Sequence, residues 1–126
     1  MRRDTMDARL FDLIRVAATA LEEKKAFEIV VLDVSLRTSI ADAFILCSVS
    51  SLRQAQAAAD AVDQALLARG RRALSVEGYH GSGWLLMDYG DFVLHIFLEE
   101  RREYFALEQL WGDAPDITAK LRAAAP

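Results

Sequence analysis

The sequence predicts an α+β domain built on a mixed five-stranded sheet, with helices packed on at least one face. Three observations carry that expectation. Residues 84–97 read W-L-L-M-D-Y-G-D-F-V-L-H-I-F, two apolar runs flanking Asp88-Tyr89-Gly90-Asp91. This is the pattern of a β-hairpin, and Gly90-Asp91 suits a two-residue primed turn. Residues 27–34 and 43–49 are apolar runs of strand length, rich in Val and Ile. Between the second of these and the hairpin lies one helical pattern, so a single crossover helix joins strands otherwise linked by short connections.

Taken in order, residues 7–25 carry Leu10, Leu13, Ile14, Ala17 and Leu21 at helical spacing. That stripe predicts a helix packed on the sheet. Asp7 and Asp12 suit its positive end, and Lys24 and Lys25 its negative end. Residues 27–34, F-E-I-V-V-L-D-V, read as a strand buried on both faces. The polar stretch 35–42 is a loop, and residues 43–49 form a second buried strand containing Cys47. Ser51 and Gln54 have the spacing of a capping box, which starts a helix to Arg69. Its stripe of Ala55, Ala58, Ala59, Val62 and Leu66 permits close approach to the sheet, and Gly70 stops it. Residues 72–76 predict a short third strand. Residues 77–83 form a glycine-rich loop that is no phosphate loop, because a strand follows and no Lys-Ser or Lys-Thr does. After Leu98, a mixed-charge segment begins a solvated helix. Leu107, Leu110 and Trp111 then give a short helix ended by Gly112 and Pro115. Residues 1–115 are expected to form one domain, with 116–126 an Ala-rich tail that frays or extends as a weak helix.

At 126 residues, with 53% hydrophobic residues, the chain can bury a core without metal or disulfide help. Its one cysteine cannot form an internal disulfide and points to a reducing compartment. No leader-like or membrane-spanning run is visible, so a cytoplasmic location is expected. The net charge of −4 disfavours nucleic-acid backbones and favours a basic protein surface, a small molecule or a second copy as partner.

Catalytic chemistry finds little support. His80, His95 and Cys47 lack metal-ligand spacing. His95 alternates within an apolar strand and reads as structural. Gly81-Ser82-Gly83 resembles a nucleophile elbow only superficially, as no helix follows. Asp33, Asp42, Asp88 and Asp91 stand near strand ends, where Asp commonly punctuates turns; paired, they could instead hold magnesium. What remains is an interaction surface. Glu77, Trp84, Asp88 and Tyr89 combine aromatic anchors with carboxylates, a composition suited to a basic partner. Trp84 reads equally well as a core residue of the sheet. Tyr89 joins the strip only if the turn bends there, since strict alternation turns it away from Trp84.

These same residues carry a family resemblance. I-V-V-L-D-V-S at 29–35, A-D-A-F-I-L-C-S-V-S-S-L-R-Q at 41–54 and V-E-G at 76–78 resemble the ribosomal silencing factor family, RsfS, also called Iojap-like. So do G-W-L-L-M-D-Y-G-D-F-V-L-H-I-F at 83–97 and Y-F-A-L-E-Q-L-W-G-D-A-P at 104–115. The resemblance implies a bacterial translation repressor without cofactor or metal. Such a factor binds the large ribosomal subunit through the universal ribosomal protein fourteen and blocks joining of the small subunit under nutrient shortage. It also implies a nucleotidyltransferase-like fold without the catalytic signature, and a homodimer when free. Trp84, Asp88 and Tyr89 fall in the matched hairpin, and Glu77 in the matched V-E-G, so these four are the expected partner contacts. Arg101 and Arg102 would touch ribosomal RNA at most peripherally. The alternative is a magnesium-dependent nucleotidyltransferase-like enzyme using Asp33, Asp42 or Asp88.

Overall fold

A computed structural model of the chain describes residues 7–81, 83–100 and 114–124. Its elements are α1 (Ala8–Glu23), β1 (Phe27–Asp33), β2 (Ala43–Val49), α2 (Leu52–Leu67), β3 (Ser75–Glu77), β4 (Trp84–Asp88), β5 (Phe92–Leu98) and α3 (Thr118–Ala124). The five strands form one sheet in the order β1-β2-β5-β4-β3. Only β2 and β5 run parallel; the other neighbours are antiparallel. The mixed five-stranded α+β architecture is therefore as expected. The short helix expected over 107–111 and the rest of the mixed-charge segment lie outside the described residues, while Glu99 and Glu100 are themselves helical and exposed.

Burial explains the strand order. Every residue of β2 is buried, as are Phe92 to Phe97 of β5. Continuous apolar runs belong in the middle of a sheet covered on both faces. In contrast, β4 alternates between half-buried and buried residues, and β3 is a three-residue edge exposed throughout. The third strand covers residues 75–77 rather than 72–76, and its Val76, like Leu74 before it, is exposed.

Helices α1 and α2 cover one face. Their stripes, Leu10, Leu13, Ile14, Ala17 and Leu21 against Ala55, Ala58, Ala59, Val62 and Leu66, enter one core with Ile45, Leu85, Met87, Leu94 and Ile96. Asp7 caps α1 by accepting from the Arg9 amide at 2.7 Å. Asp12 lies past the first turn of α1 and does not serve its positive end; it pairs with Arg15 and with Arg69 beyond α2, and these two guanidiniums, Arg69 first, hold its carboxyl below the usual range. Ser51 accepts from the Gln54 amide at 3.1 Å, but Gln54 returns its oxygen to the Ser50 amide rather than to Ser51. The Gln54 amide group also donates to the Lys24 carbonyl at 3.1 Å, which ties the start of α2 to the end of α1.

Both long helices end in the same 6→1, 5→2 hydrogen-bond motif, which needs a left-handed residue just past the helix. After α2 that residue is Gly70, at φ 79°. After α1 it is Lys25, at φ 68°, with Ala26 bonding Leu21 and Lys25 bonding Glu22. A side chain in this region costs about 1 kcal/mol relative to glycine. Lys25→Gly is therefore expected to stabilise the domain by up to about 1 kcal/mol, read as a raised midpoint in urea unfolding.

The strand β1 is an edge strand, not an inner one. Glu28 adopts φ 52°, and the pairing with β2 shifts register between Phe27 and Val30, so the strand bulges. Its outer edge is closed by the chain's own end. Asp33 donates to the Pro115 carbonyl at 2.8 Å and Ile117 to the Val31 carbonyl at 2.9 Å, around a Leu32–Asp116 bridge. The burial on both faces expected of 27–34 is only partly met: Ile29, Val31 and Leu32 are buried, Phe27, Val30 and Asp33 half-buried, and Glu28 exposed. Where it is described, the segment after residue 115 is helical over Thr118–Ala124, the α3 helix. Asp116 accepts from Thr118 at the start of α3, and Ile117 and Leu121 are buried in the helix-side core.

Candidate functional site

The second face of the sheet is set by register. Glu77 stands opposite Leu86, Leu86 opposite His95 and His95 beside Leu46. Ser75 stands opposite Asp88, and Trp84 opposite Phe97. Side chains directly across a ladder share a face. Glu77, Trp84 and Asp88 therefore lie on one face, away from α1 and α2. Trp84 and Asp88 mark the two ends of β4, about 13 Å apart at the usual strand rise. Glu77 lies beside the strand's midpoint and is exposed, while Trp84 and Asp88 are half-buried.

The indole is neither sealed in nor loose. Its rim packs against Phe97 at 5.5 Å and His95 at 5.8 Å between ring centres. His95 in turn meets the edge of Phe44 at 5.2 Å and stacks on Phe97 at 6.2 Å. The Trp84 Nε1–H donates to His95 Nδ1 at 3.0 Å. His95 is buried, and burial pulls its pKa down to about 4, so the ring is neutral at pH 7. With Nδ1 accepting, the proton sits on Nε2, which has no hydrogen-bond partner among the described residues. His95 was read from the sequence as structural. The parity that pairs Trp84 with Phe97 also places residue 95 on the tryptophan's side, and that was the available signal.

Asp88 does two things. Its Oδ1 accepts from the Gly90 amide at 2.8 Å, fixing the hairpin turn, while its side chain stays on the Trp84 face. Gly90 has φ 91° and Tyr89 donates to the Phe92 carbonyl at 3.0 Å. A positive φ at the first central residue alone marks the turn as type II′.

Tyr89 does not join the strip. The turn leaves the alternation intact, so Tyr89 follows Leu85 and Met87 onto the helix-covered face, where it is 2% exposed. It stacks on Phe92 at 5.0 Å, and burial and then Asp63 push its hydroxyl pKa well up. Arg71 locks this corner from outside, donating to the Tyr89 carbonyl and to Asp91, each at 2.8 Å.

The other acidic residues are largely used by turns. Asp33 accepts from both the amide and the hydroxyl of Ser35. Asp91 pairs with Arg71, and the Asp42 amide donates to the Asp91 carbonyl at 2.8 Å. Among the described residues, no group of three or more His, Cys, Asp or Glu could hold a metal ion. Cys47 is fully buried in β2. Arg101 and Arg102 lie outside the described residues, as does Ser82. Among the described residues no helix is long and apolar enough to cross a membrane.

Fold and surface together define a single-sheet α+β domain whose face opposite α1 and α2 carries an anchored indole, with Glu77 and Asp88 on the same face. The family profile described as "Ribosomal silencing factor during starvation" matches residues 7–126. A ribosomal silencing factor RsfS from Halalkalibacterium halodurans is 38% identical over 106 residues, covering 84% of this chain and 91% of that protein. A crystal structure of a Chromobacterium violaceum protein superposes with a TM-score of 0.79 at 34% identity, covering 85% of this chain and 88% of that one. More distantly, a mouse protein named mitochondrial assembly of ribosomal large subunit protein 1 is 30% identical over 78% of this chain and 44% of its own length. The chain belongs to the RsfS family of ribosomal silencing factors.

Proposed function

We propose that this protein represses translation by occupying the large ribosomal subunit at the universal ribosomal protein fourteen, so that the small subunit cannot join. It acts by binding and not by catalysis, in the cytoplasm, during nutrient limitation. The observation that supports this reading is the grouping of Glu77, Trp84 and Asp88 on one sheet face, with the indole half-exposed and held. An aromatic anchor amid negative charge suits a basic ribosomal protein, and the chain's net charge of −4 favours that encounter over ribosomal RNA. Any RNA contact would be peripheral, through Arg101 and Arg102. The free protein is a homodimer in this reading, and its fold is similar to that of nucleotidyltransferases without their catalytic signature. The family supports the silencing role, and the mouse relative's name speaks of the large subunit.

The test is co-sedimentation with purified large subunits. Trp84→Ala should weaken binding by about 2–4 kcal/mol, or roughly 30- to 1,000-fold. Glu77→Arg should also weaken it, more at low salt than at high. Asp88→Asn is the better probe of charge than Asp88→Arg, because it keeps an oxygen for the Gly90 amide. Normal binding by both Trp84→Ala and Glu77→Arg would show that docking uses another surface.

A further inference from the structure

We infer that His95 is a positioning residue, which aims the Trp84 indole for docking through the hydrogen bond from Nε1–H to Nδ1. The role stands on the docking reading above. Three features of the pair support it. The bond joins a buried ring in the central strand to a half-buried ring in the next one, so the inner partner is fixed and the outer one is aimed. Phe97 lies against both rings, so the two hydrogen-bonded partners share one aromatic support. The arrangement also carries a cost that packing does not require. Accepting at Nδ1 forces the proton onto Nε2, a buried donor without a partner among the described residues. An apolar ring would fill the same space without that orphan, giving up only the acceptor of the indole N–H. A histidine kept only for packing would be a poor choice here; one kept for its acceptor nitrogen is not.

Stability and binding should therefore move in opposite directions. His95→Phe removes the orphan donor and the acceptor together. Its melting temperature should stay at or above that of the natural protein. Its affinity for purified large subunits should fall by roughly three- to ten-fold, the cost of ordering one freed side chain on docking. His95→Asn keeps an acceptor where Nδ1 stood. It should melt lower, because it leaves a void, yet bind as the natural protein does. The indole ¹⁵N–¹H resonance of Trp84 should keep its position in the Asn variant and move in the Phe variant. Should the Phe variant fail to fold, His95→Leu takes its place. Trp84→Ala with His95→Phe should bind no more weakly than Trp84→Ala alone. Binding by His95→Phe equal to that of the natural protein, while Trp84→Ala is lost, would overturn the positioning role alone. So would an additive loss in the double variant. A natural protein that does not sediment with large subunits would overturn the docking reading, and the positioning role with it.

Discussion

Lowering the pH from 7 to 4 should destabilise the domain by on the order of 3 kcal/mol through His95 alone. The ring is neutral in the folded state because burial holds its pKa near 4, against an ordinary value of 6.5. Between those values the unfolded chain binds a proton that the folded chain refuses. Stability is thus complete above about pH 6.5, declines as the pH falls and levels off below about 4. Urea unfolding at pH 7 and at pH 4.5 measures the slope. His95→Asn, which cannot titrate, should show a smaller drop than the natural protein, and the difference isolates this residue from the carboxylates. The added proton would occupy Nδ1, the nitrogen that receives the indole N–H. Trp84 fluorescence should therefore shift before the main unfolding transition.

Tyr89→Ala should cost about 3–5 kcal/mol of stability, the range for emptying a buried aromatic site. The ring is stacked on Phe92 and packed under α2. Tyr89→Phe should cost less than about 1 kcal/mol, since the hydroxyl lies a long 3.5 Å from the Asp63 carboxylate. The Phe variant should also keep its affinity for the large subunit. A thermal melt and a co-sedimentation assay on the two variants separate a core tyrosine from a contact tyrosine. Weak binding by a well-folded Tyr89→Phe would contradict the buried placement.

Much of the architecture was legible because local patterns agreed with the final packing. The runs at 27–33 and 43–49, the stripe of α2, the stop at Gly70 and the turn at Gly90 each needed only neighbouring residues. The placement of Tyr89 was legible too, from parity alone, although its aromatic character and the hairpin motif argued for the surface. What could not be read were pairings between distant segments. Residues 27–34 carry the composition of an inner strand, yet the cover on their outer edge comes from residues 115–118. The Ala-rich end allowed a weak helix, where α3 stands, but gave no sign that Ile117 and Leu121 are buried in the core. The bond between Trp84 and His95 depends on the register of two strands, and composition does not encode register. Alternation within one strand puts Asp88 on the tryptophan's side, but only the ladder between β3 and β4 shows that Glu77 shares that face.

The two flanks of the sheet differ in a way that bears on self-association. One flank is closed by residues 115–118, while the three residues of β3 leave the other with backbone groups that, among the described residues, meet no further strand. Growth of a fibre by lateral addition requires two adhesive margins on every subunit. Among the described residues this chain shows one, so margin-to-margin contact can join a pair of molecules and then terminates, and loosening of residues 115–118 would be the step that makes polymerisation possible.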